Sequence, residues 1–331
     1  MAKSTTFRWG ILGCANIGRK FVPAVQKLKG AKVLACASRS FGKAEAYAKE
    51  FGIPRAYGSY EELLRDPEID AIYNPLPNDL HCPWSIKAMQ AGKHVLCEKP
   101  LALTAAEVKR MIDASKRCGV LLMEAFMYRL HPQWDLVLRT IKSGQIGEPR
   151  VVIGTFSFAW NLAVDNDRLH PEQGGGALLD VGCYCVNAAR TVFGAEPSRV
   201  SATQHLSKKL GIDMTTCGLL EFPGGRVALF DSSFEINGRW GVDIECTGGH
   251  MHIPKPWLSG DQPAQIMIRS GGKQKTLIAR VANSYGLEAA HLADCARTGK
   301  RLRFPPSESL AQMKVLNAIQ RAARTGKAVS L

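Results

Sequence analysis

Residues Trp9 to Phe21 read WGILGCANIGRKF, an apolar run that stops at a glycine and restarts with helical spacing. Gly13-Cys14-Ala15-Asn16-Ile17-Gly18 has the spacing of a dinucleotide-binding turn, in which a tight bend brings backbone N–H groups at a helix N-terminus up to a pyrophosphate. Ala15 stands where a middle glycine is usual. Glycines also end strands for purely structural reasons, so the surroundings decide what this turn is.

Those surroundings alternate. Apolar runs at about Phe7–Leu12, Lys32–Ala37, Ile69–Tyr73, Val95–Cys97 and Val120–Met123 are separated by stretches with helical spacing, the βαβ pattern of a parallel sheet. Ser59-x-x-Glu62 and Thr104-x-x-Glu107 fit the capping box that opens a helix. The pattern then changes. A helical segment near Pro132–Ser143 precedes a long strand at Arg150–Trp160, and a glycine triplet opens a helix over about Gly176–Phe193. From Pro197 to Arg280, strands are joined by glycine turns at 224–225, 248–249 and 271–272, and helices at about Leu287–Thr298 and Glu308–Thr325 close the chain. The expected architecture is an α/β nucleotide-binding domain over residues 1–126. An α+β domain with an open, mostly antiparallel sheet follows over 127–331.

Composition narrows the function classes. The 331 residues accommodate two domains, and 46% apolar against 22% charged residues is the balance of a soluble globular protein. The N-terminus has no basic segment followed by an apolar stretch, and no window approaches the roughly 18 apolar residues of a membrane span. A cytoplasmic protein without a membrane partner is expected. The formal charge of +14 is dispersed in nothing longer than doublets such as Lys208-Lys209, which argues against nucleic acid. Ten scattered cysteines include no CxxC, and His250 and His252 share a strand face without recognisable further ligands, so no metal is expected.

The end of the second strand selects the cofactor. An NAD site usually has an acid there, about 20 residues past the glycines, to hold the ribose hydroxyls. This chain has Ser38-Arg39-Ser40, with Lys43 one turn on. An arginine fork and two hydroxyls can bind a 2′-phosphate that an acid would repel, so NADP is expected. Taken alone, the same residues would also make an ordinary solvated basic turn.

Five segments carry a resemblance to a known family: GILGCANIG (10–18), YNPLPNDLH (73–81), AGKHVLCEKPLA (91–102), LLMEAFMYRLHP (121–132) and GGGALLDVGCYCVN (174–187). In this order they resemble the glucose-fructose oxidoreductase and inositol dehydrogenase (Gfo/Idh/MocA) family over essentially the whole chain, closest to its dihydrodiol dehydrogenase and NADP-dependent xylose dehydrogenase branch. The resemblance implies an N-terminal Rossmann domain and a second domain for substrate and oligomerisation. It implies cofactor contacts from Gly13, Cys14, Ala15, Asn16 and Ile17, from Ser38, Arg39 and Lys43, and from Pro75, Leu76, Asn78 and His81. Glu98 and Lys99 would reach the cofactor from a strand's C-terminal end, before Pro100 and a bond that can be cis. Arg168 would approach the nicotinamide, and Trp160 and Asn161 could wall the substrate pocket.

For catalysis the resemblance implies Lys99, Asp180 and Tyr184. Asp180 and Tyr184 are four apart, neighbours on one helical face. Tyr184 would exchange the substrate hydroxyl proton, assisted by positive charge, because a free tyrosine ionises only near pH 10. Two functions follow: an NADP-dependent oxidoreductase for a sugar or related cyclic diol, or a catalytically silent dinucleotide-binding regulator with a protein partner. The joint presence of Lys99, Asp180 and Tyr184 favours the enzyme. A sheet face uncovered by helices leads us to expect a homodimer or homotetramer.

Overall fold

The computed structural model describes residues 6–257 and 262–331. Strand β1 (Phe7–Leu12) is the buried apolar run, and past the glycine turn the chain enters α1 (Gly18–Gln26), whose Phe21, Val22, Ala24 and Val25 are buried. The alternation continues through β2 (Ala31–Ala37), α2 (Phe41–Phe51), β3 (Arg55–Tyr57), α3 (Tyr60–Arg65), β4 (Ala71–Asn74), α4 (Asn78–Gln90), β5 (His94–Glu98), α5 (Ala105–Cys118) and β6 (Leu122–Ala125). The six strands run parallel in the order β3-β2-β1-β4-β5-β6. This is the doubly wound order whose direction reverses between β1 and β4, and ligands bind outside the strand C-termini at such a reversal. Thr104 and Glu107 form the full capping box. Ser59 accepts from the Glu62 N–H, but the Glu62 carboxylate accepts from the Gly58 N–H.

The remaining elements are α6 (Pro132–Lys142), β7 (Pro149–Ser157), a π-helical turn at Leu178–Gly182 leading into α7 (Cys183–Phe193), and β8 (Arg199–Leu206). Then come β9 (Asp213–Phe222), β10 (Arg226–Ser233), β11 (Arg239–Cys246), β12 (Gly249–Ile253), β13 (Ala264–Ser270), β14 (Lys273–Ala279), α8 (Ser284–Thr298), α9 (Pro306–Thr325) and β15 (Val329–Ser330). Nine strands form one sheet in the order β14-β13-β12-β11-β7-β10-β9-β8-β15, antiparallel except where β7 and β10 run parallel. Helix α7 packs on β7 and β10. A Cβ on Gly154 would lie 3.0 Å from the Cys185 Cβ, so glycine lets the helix sit close to the sheet there. Strand alternation sends Val151, Ile153, Leu219, Val227 and Leu229 to the other face, where Leu229 is 43% exposed.

Two compact units result. One takes the chain through Met127 together with Asn283–Leu310; the other takes Tyr128–Ala282 and Ala311–Leu331. The expected single division after residue 126 therefore needs correcting for α8, which packs on α1 and β5 of the first unit. Its Ala289, Leu292 and Ala293 bury an apolar stripe there, a pairing that order along the chain does not reveal.

Candidate functional site

In the first unit, Gly13 has φ +78°, and a Cβ on it would lie 2.9 Å from Leu76 Cδ2. Both the left-handed backbone and the close approach of the loop after β4 call for glycine at this bend. The Gly13 N–H donates to the Ala37 carbonyl at 2.8 Å, tying the turn to the end of β2. Cys14, Ala15, Asn16 and Ile17 form the half-buried to exposed surface of the turn. Ile17 begins α1 without a side-chain cap, and although the Gly18, Arg19 and Lys20 N–H groups donate to the Ala15, Asn16 and Ile17 carbonyls, the positive end of the helix dipole points at the turn. This geometry fits a pyrophosphate. Gly18 serves packing: a Cβ there would meet the hydroxyl of buried Tyr47 from α2.

The end of β2 carries the basic turn. Ser38 Oγ accepts from the Ser40 N–H at 3.3 Å, while Arg39 and Lys43 are exposed. No acid stands among Ser38, Arg39 and Ser40, so the donor set suits a phosphate better than a pair of ribose hydroxyls.

The ends of β4 and β5 are braced together. Asn74 accepts from the Leu76 N–H and donates to Ser85 Oγ at 3.0 Å and to the His81 carbonyl. His81 was expected at the cofactor, but it is fully buried, with Nε2 2.7 Å from the Leu76 carbonyl and Nδ1 2.8 Å from the Pro100 carbonyl. Both ring nitrogens are committed to backbone, so we correct its role to bracing the Pro75–Leu76 loop against the Lys99–Pro100 turn. The Lys99–Pro100 bond is cis. Glu98 accepts a short hydrogen bond from Tyr73, whose ring stacks on Phe21 with centroids 3.8 Å apart. Lys99 is half-buried, Leu76 is buried and Asn78 opens α4.

In the second unit the glycine triplet folds back on Arg168: the Gly176 N–H donates to the Arg168 carbonyl at 3.0 Å, and the Gly175 N–H donates to the His170 carbonyl at 2.9 Å. The Arg168 guanidinium, expected at the nicotinamide, donates from Nε to Asp180 Oδ2 at 2.8 Å and lies 5.3 Å from the Trp160 ring centroid. It thus holds Asp180 in place. The sequence pattern suggested one α-helix here, but Asp180 sits in the π-helical turn and Tyr184 in the first turn of α7. Gly182 contributes to this path, because a Cβ there would lie 2.7 Å from Ser232 Oγ. Single π turns recur at functional sites. The Tyr184 ring is enclosed by Phe156, Trp257 and Tyr128, at centroid distances of 5.4, 5.5 and 5.8 Å. Asn161 Oδ1 accepts from the Ala163 N–H, so this side chain shapes its own loop.

Sequence reasoning missed the polar anchor of α7. Asn187 accepts from Tyr128 OH at 2.6 Å and donates to Gln312 Oε1 at 3.2 Å, and Gln312 also accepts from Arg190, which pairs with Glu196. It also missed Asp213, which accepts from the Leu178 N–H at 2.7 Å. The polar residues at i, i+3 within CYCVNAAR are visible, but Gln312, the partner they share, is more than a hundred residues away. Among the described residues, no group of His, Cys, Asp and Glu could hold a metal ion. His250 and His252 both turn to Asp243 Oδ1, at 3.1 and 2.7 Å.

A parallel sheet with a glycine turn at its reversal point, followed by a mostly antiparallel sheet whose packed helix brings a buried Asp–Tyr pair, defines a two-unit, dinucleotide-dependent oxidoreductase. Residues 7–126 match the oxidoreductase family with NAD-binding Rossmann fold, and residues 134–252 match the GFO/IDH/MocA C-terminal domain. The chain belongs to the Gfo/Idh/MocA family. It is 39% identical to D-xylose 1-dehydrogenase (NADP(+)) 2 of Haloferax volcanii, covering 98% of this chain and 99% of that one. To trans-1,2-dihydrobenzene-1,2-diol dehydrogenase of Mus musculus it is 33% identical, covering 96% of each. Among solved structures, the aldose-aldose oxidoreductase of Caulobacter crescentus complexed with glycerol superposes with a TM-score of 0.91 at 28% identity, covering 98% of this chain and 100% of that one. The 3-ketoreductase KijD10 of Actinomadura kijaniata, with NADP and TDP-benzene, gives 0.91 at 28% identity over 96% and 98%.

Proposed function

We infer that the chain is an NADP-dependent oxidoreductase acting on a CH–OH group of a sugar or related cyclic diol. The observation that carries this reading is the combination of an acid-free, basic turn after β2 with an Arg168-held Asp180 and an aromatic-walled Tyr184. The relatives named as a D-xylose 1-dehydrogenase (NADP(+)) and as a dihydrodiol dehydrogenase, and the neighbour solved with NADP, support it. NADP, when bound, supplies or receives the hydride.

The Gly13–Ile17 turn and α1 hold the pyrophosphate, and Ser38, Arg39 and Lys43 hold the 2′-phosphate. Pro75, Leu76, Asn78 and Glu98 shape the rest of the cofactor's bed. Tyr184 takes the proton from the substrate hydroxyl in oxidation and returns it in reduction. Lys99, immediately after β5, is the third catalytic residue of this reading. Asp180, with one oxygen occupied by Arg168, accepts from a neighbouring substrate hydroxyl and orients it.

Incubation with NADP⁺ and a panel of aldoses and cyclic diols, followed by absorbance of the reduced cofactor, tests the reading. We expect turnover with at least one member. Tyr184→Phe keeps the ring and should lower turnover by roughly two to four powers of ten with NADP⁺ affinity nearly unchanged. Normal turnover in that variant would remove Tyr184 as the proton carrier.

The same reading assigns self-association to the sheet face bearing Val151, Ile153, Leu219, Val227 and Leu229, giving a homodimer or homotetramer. Leu229→Arg should then dissociate it in sedimentation, and a native protein that is monomeric at micromolar concentration would refute the assignment. A reducing cytoplasm suits the ten free thiols, and no helix among the described residues is long and apolar enough to cross a membrane. Cell fractionation checks that location.

A further inference from the structure

Asp213, the first residue of β9, is buried at 9% exposure, and its carboxylate is aimed at the backbone that precedes α7. Oδ2 accepts from the Leu178 N–H at 2.7 Å and from the Thr216 hydroxyl at 2.7 Å. Oδ1 rests against Gly176, where φ is +112° and a Cβ would overlap the oxygen. Gly176 in turn accepts from the Asp180 N–H at 3.2 Å. The carboxylate therefore grips the segment at two points on either side of Ala177, the last glycine of the triplet and the first residue of the π-helical turn. A negative group at this end of a helix is also favoured by the helix dipole.

We propose that Asp213 is a positioning residue for the reaction: it fixes the start of the Leu178–Gly182 turn and thereby sets where Asp180 and Tyr184 stand. This rests on the catalytic roles inferred above for those two residues. The turn needs such a clamp. A π-helical turn is locally less favourable than continued α-helix, and nothing in LLDVG compels it. Gly182 fits closely under Ser232 at the far end, Arg168 holds Asp180 in the middle, and Asp213 holds the near end. A shift of about 1 Å at a reacting group costs on the order of a hundredfold in rate.

The groups facing the carboxylate are the Leu178 N–H, the Thr216 hydroxyl and its own backbone N–H, with no charged side chain among them. Burial outweighs their hydrogen bonds and raises the Asp213 carboxyl to about 6. A neutral amide of the same shape can accept the same two bonds, so the positioning role depends on shape and acceptors rather than on charge.

The test uses Asp213→Ala, Asp213→Asn and Thr216→Val in the full chain. Hydrogen exchange of the segment 176–186 reads the clamp without reference to turnover, and kcat and KM with NADP⁺ and an accepted substrate read its consequence. For Asp213→Ala we expect faster exchange in that segment and a kcat lowered roughly 10- to 100-fold, with NADP⁺ affinity unchanged. Asp213→Asn should restore both to within about threefold, as expected for a positioning group that can be replaced by another acceptor. Thr216→Val, which removes only the brace on Oδ2, should lie between them and covers the case in which Asp213→Ala does not fold. Unchanged exchange in Asp213→Ala and Thr216→Val, or an Asp213→Asn variant as impaired as Asp213→Ala, would overturn the proposal. Failure of the underlying catalytic reading would show differently, as normal turnover in Tyr184→Phe while the exchange result stands.

Discussion

Gly18→Ala measures how tightly the dinucleotide turn is packed. Gly18 begins α1 and has no left-handed backbone, so alanine would ordinarily be tolerated there or favour the helix by up to about 1 kcal/mol. Space forbids it. A Cβ on Gly18 would lie 2.2 Å from Tyr47 OH, and ordinary contact begins near 3.4 Å, so the ring must retreat by about 1 Å. Tyr47 is 4% exposed and packed on Phe51 at a centroid distance of 4.8 Å, which leaves it little room. Overpacking of this kind costs about 1–3 kcal/mol, and set against the helix gain it leaves a net loss of about 1–2 kcal/mol. That corresponds to a fall in Tm of roughly 2–8 °C. The NADP⁺ affinity should fall with it, because the displaced backbone is the phosphate turn.

Tyr47→Phe supplies the control. It removes the oxygen and leaves Cζ 3.4 Å from the new methyl, an ordinary contact. The Tyr47 hydroxyl is buried without a hydrogen-bond partner among the described residues, so Tyr47→Phe alone should be neutral or stabilising by up to about 1 kcal/mol. The double variant should recover both Tm and affinity. Calorimetry and cofactor titration on all four proteins complete the cycle. Gly18→Ala with native Tm, or a double variant no better than Gly18→Ala, would refute the packing argument.

Arg39→Ala should weaken NADP⁺ by one to two powers of ten, about 1.5–3 kcal/mol for a charge-assisted bond, while barely changing NAD⁺; equilibrium titration of both cofactors decides it. Arg168→Gln removes the charge that holds Asp180 and should lower kcat without weakening NADP⁺, whereas a cofactor contact would give the reverse in the same titration and rate assay. The Asp213 carboxyl is raised to about 6 from an ordinary 3.8, so the folded state binds that proton more tightly than the unfolded chain. Ionisation at this site therefore costs stability as pH rises from about 4 through 6, by roughly 3 kcal/mol when complete. Thermal melts should show the Tm of Asp213→Asn rising relative to native between pH 4.5 and 7, then running parallel above.

Local signals were legible in proportion to how local their causes are. The glycine at 13 and the Thr104–Glu107 box follow from contacts a few residues apart, and both stand as read. Asp180 and Tyr184 were recognisable as a pair, but the π-helical turn between them was not, because it depends on Ser232 and Asp213 meeting Gly182 and Leu178 from other strands. His81 and Arg168 are expected at the cofactor because their positions match the family's motifs. Their partners, the Leu76 and Pro100 carbonyls and Asp180, take up those groups instead. Asp213 carries no motif at all, and its partner stands 35 residues earlier.

The return of α8 to the first unit bears on how the protein is made. The parallel sheet and α1 to α5 leave the ribosome first, yet the helix that buries part of α1 and β5 follows the 155 residues from Tyr128 to Ala282. At roughly 5–20 residues per second the nascent nucleotide unit waits on the order of ten to thirty seconds for its last piece. Through that interval it exposes the apolar surface that Ala289, Leu292 and Ala293 later cover, which makes it a client for chaperones. A gene fragment ending near residue 127 would be left in that state permanently, so the dinucleotide unit is a module in space without being one in the gene.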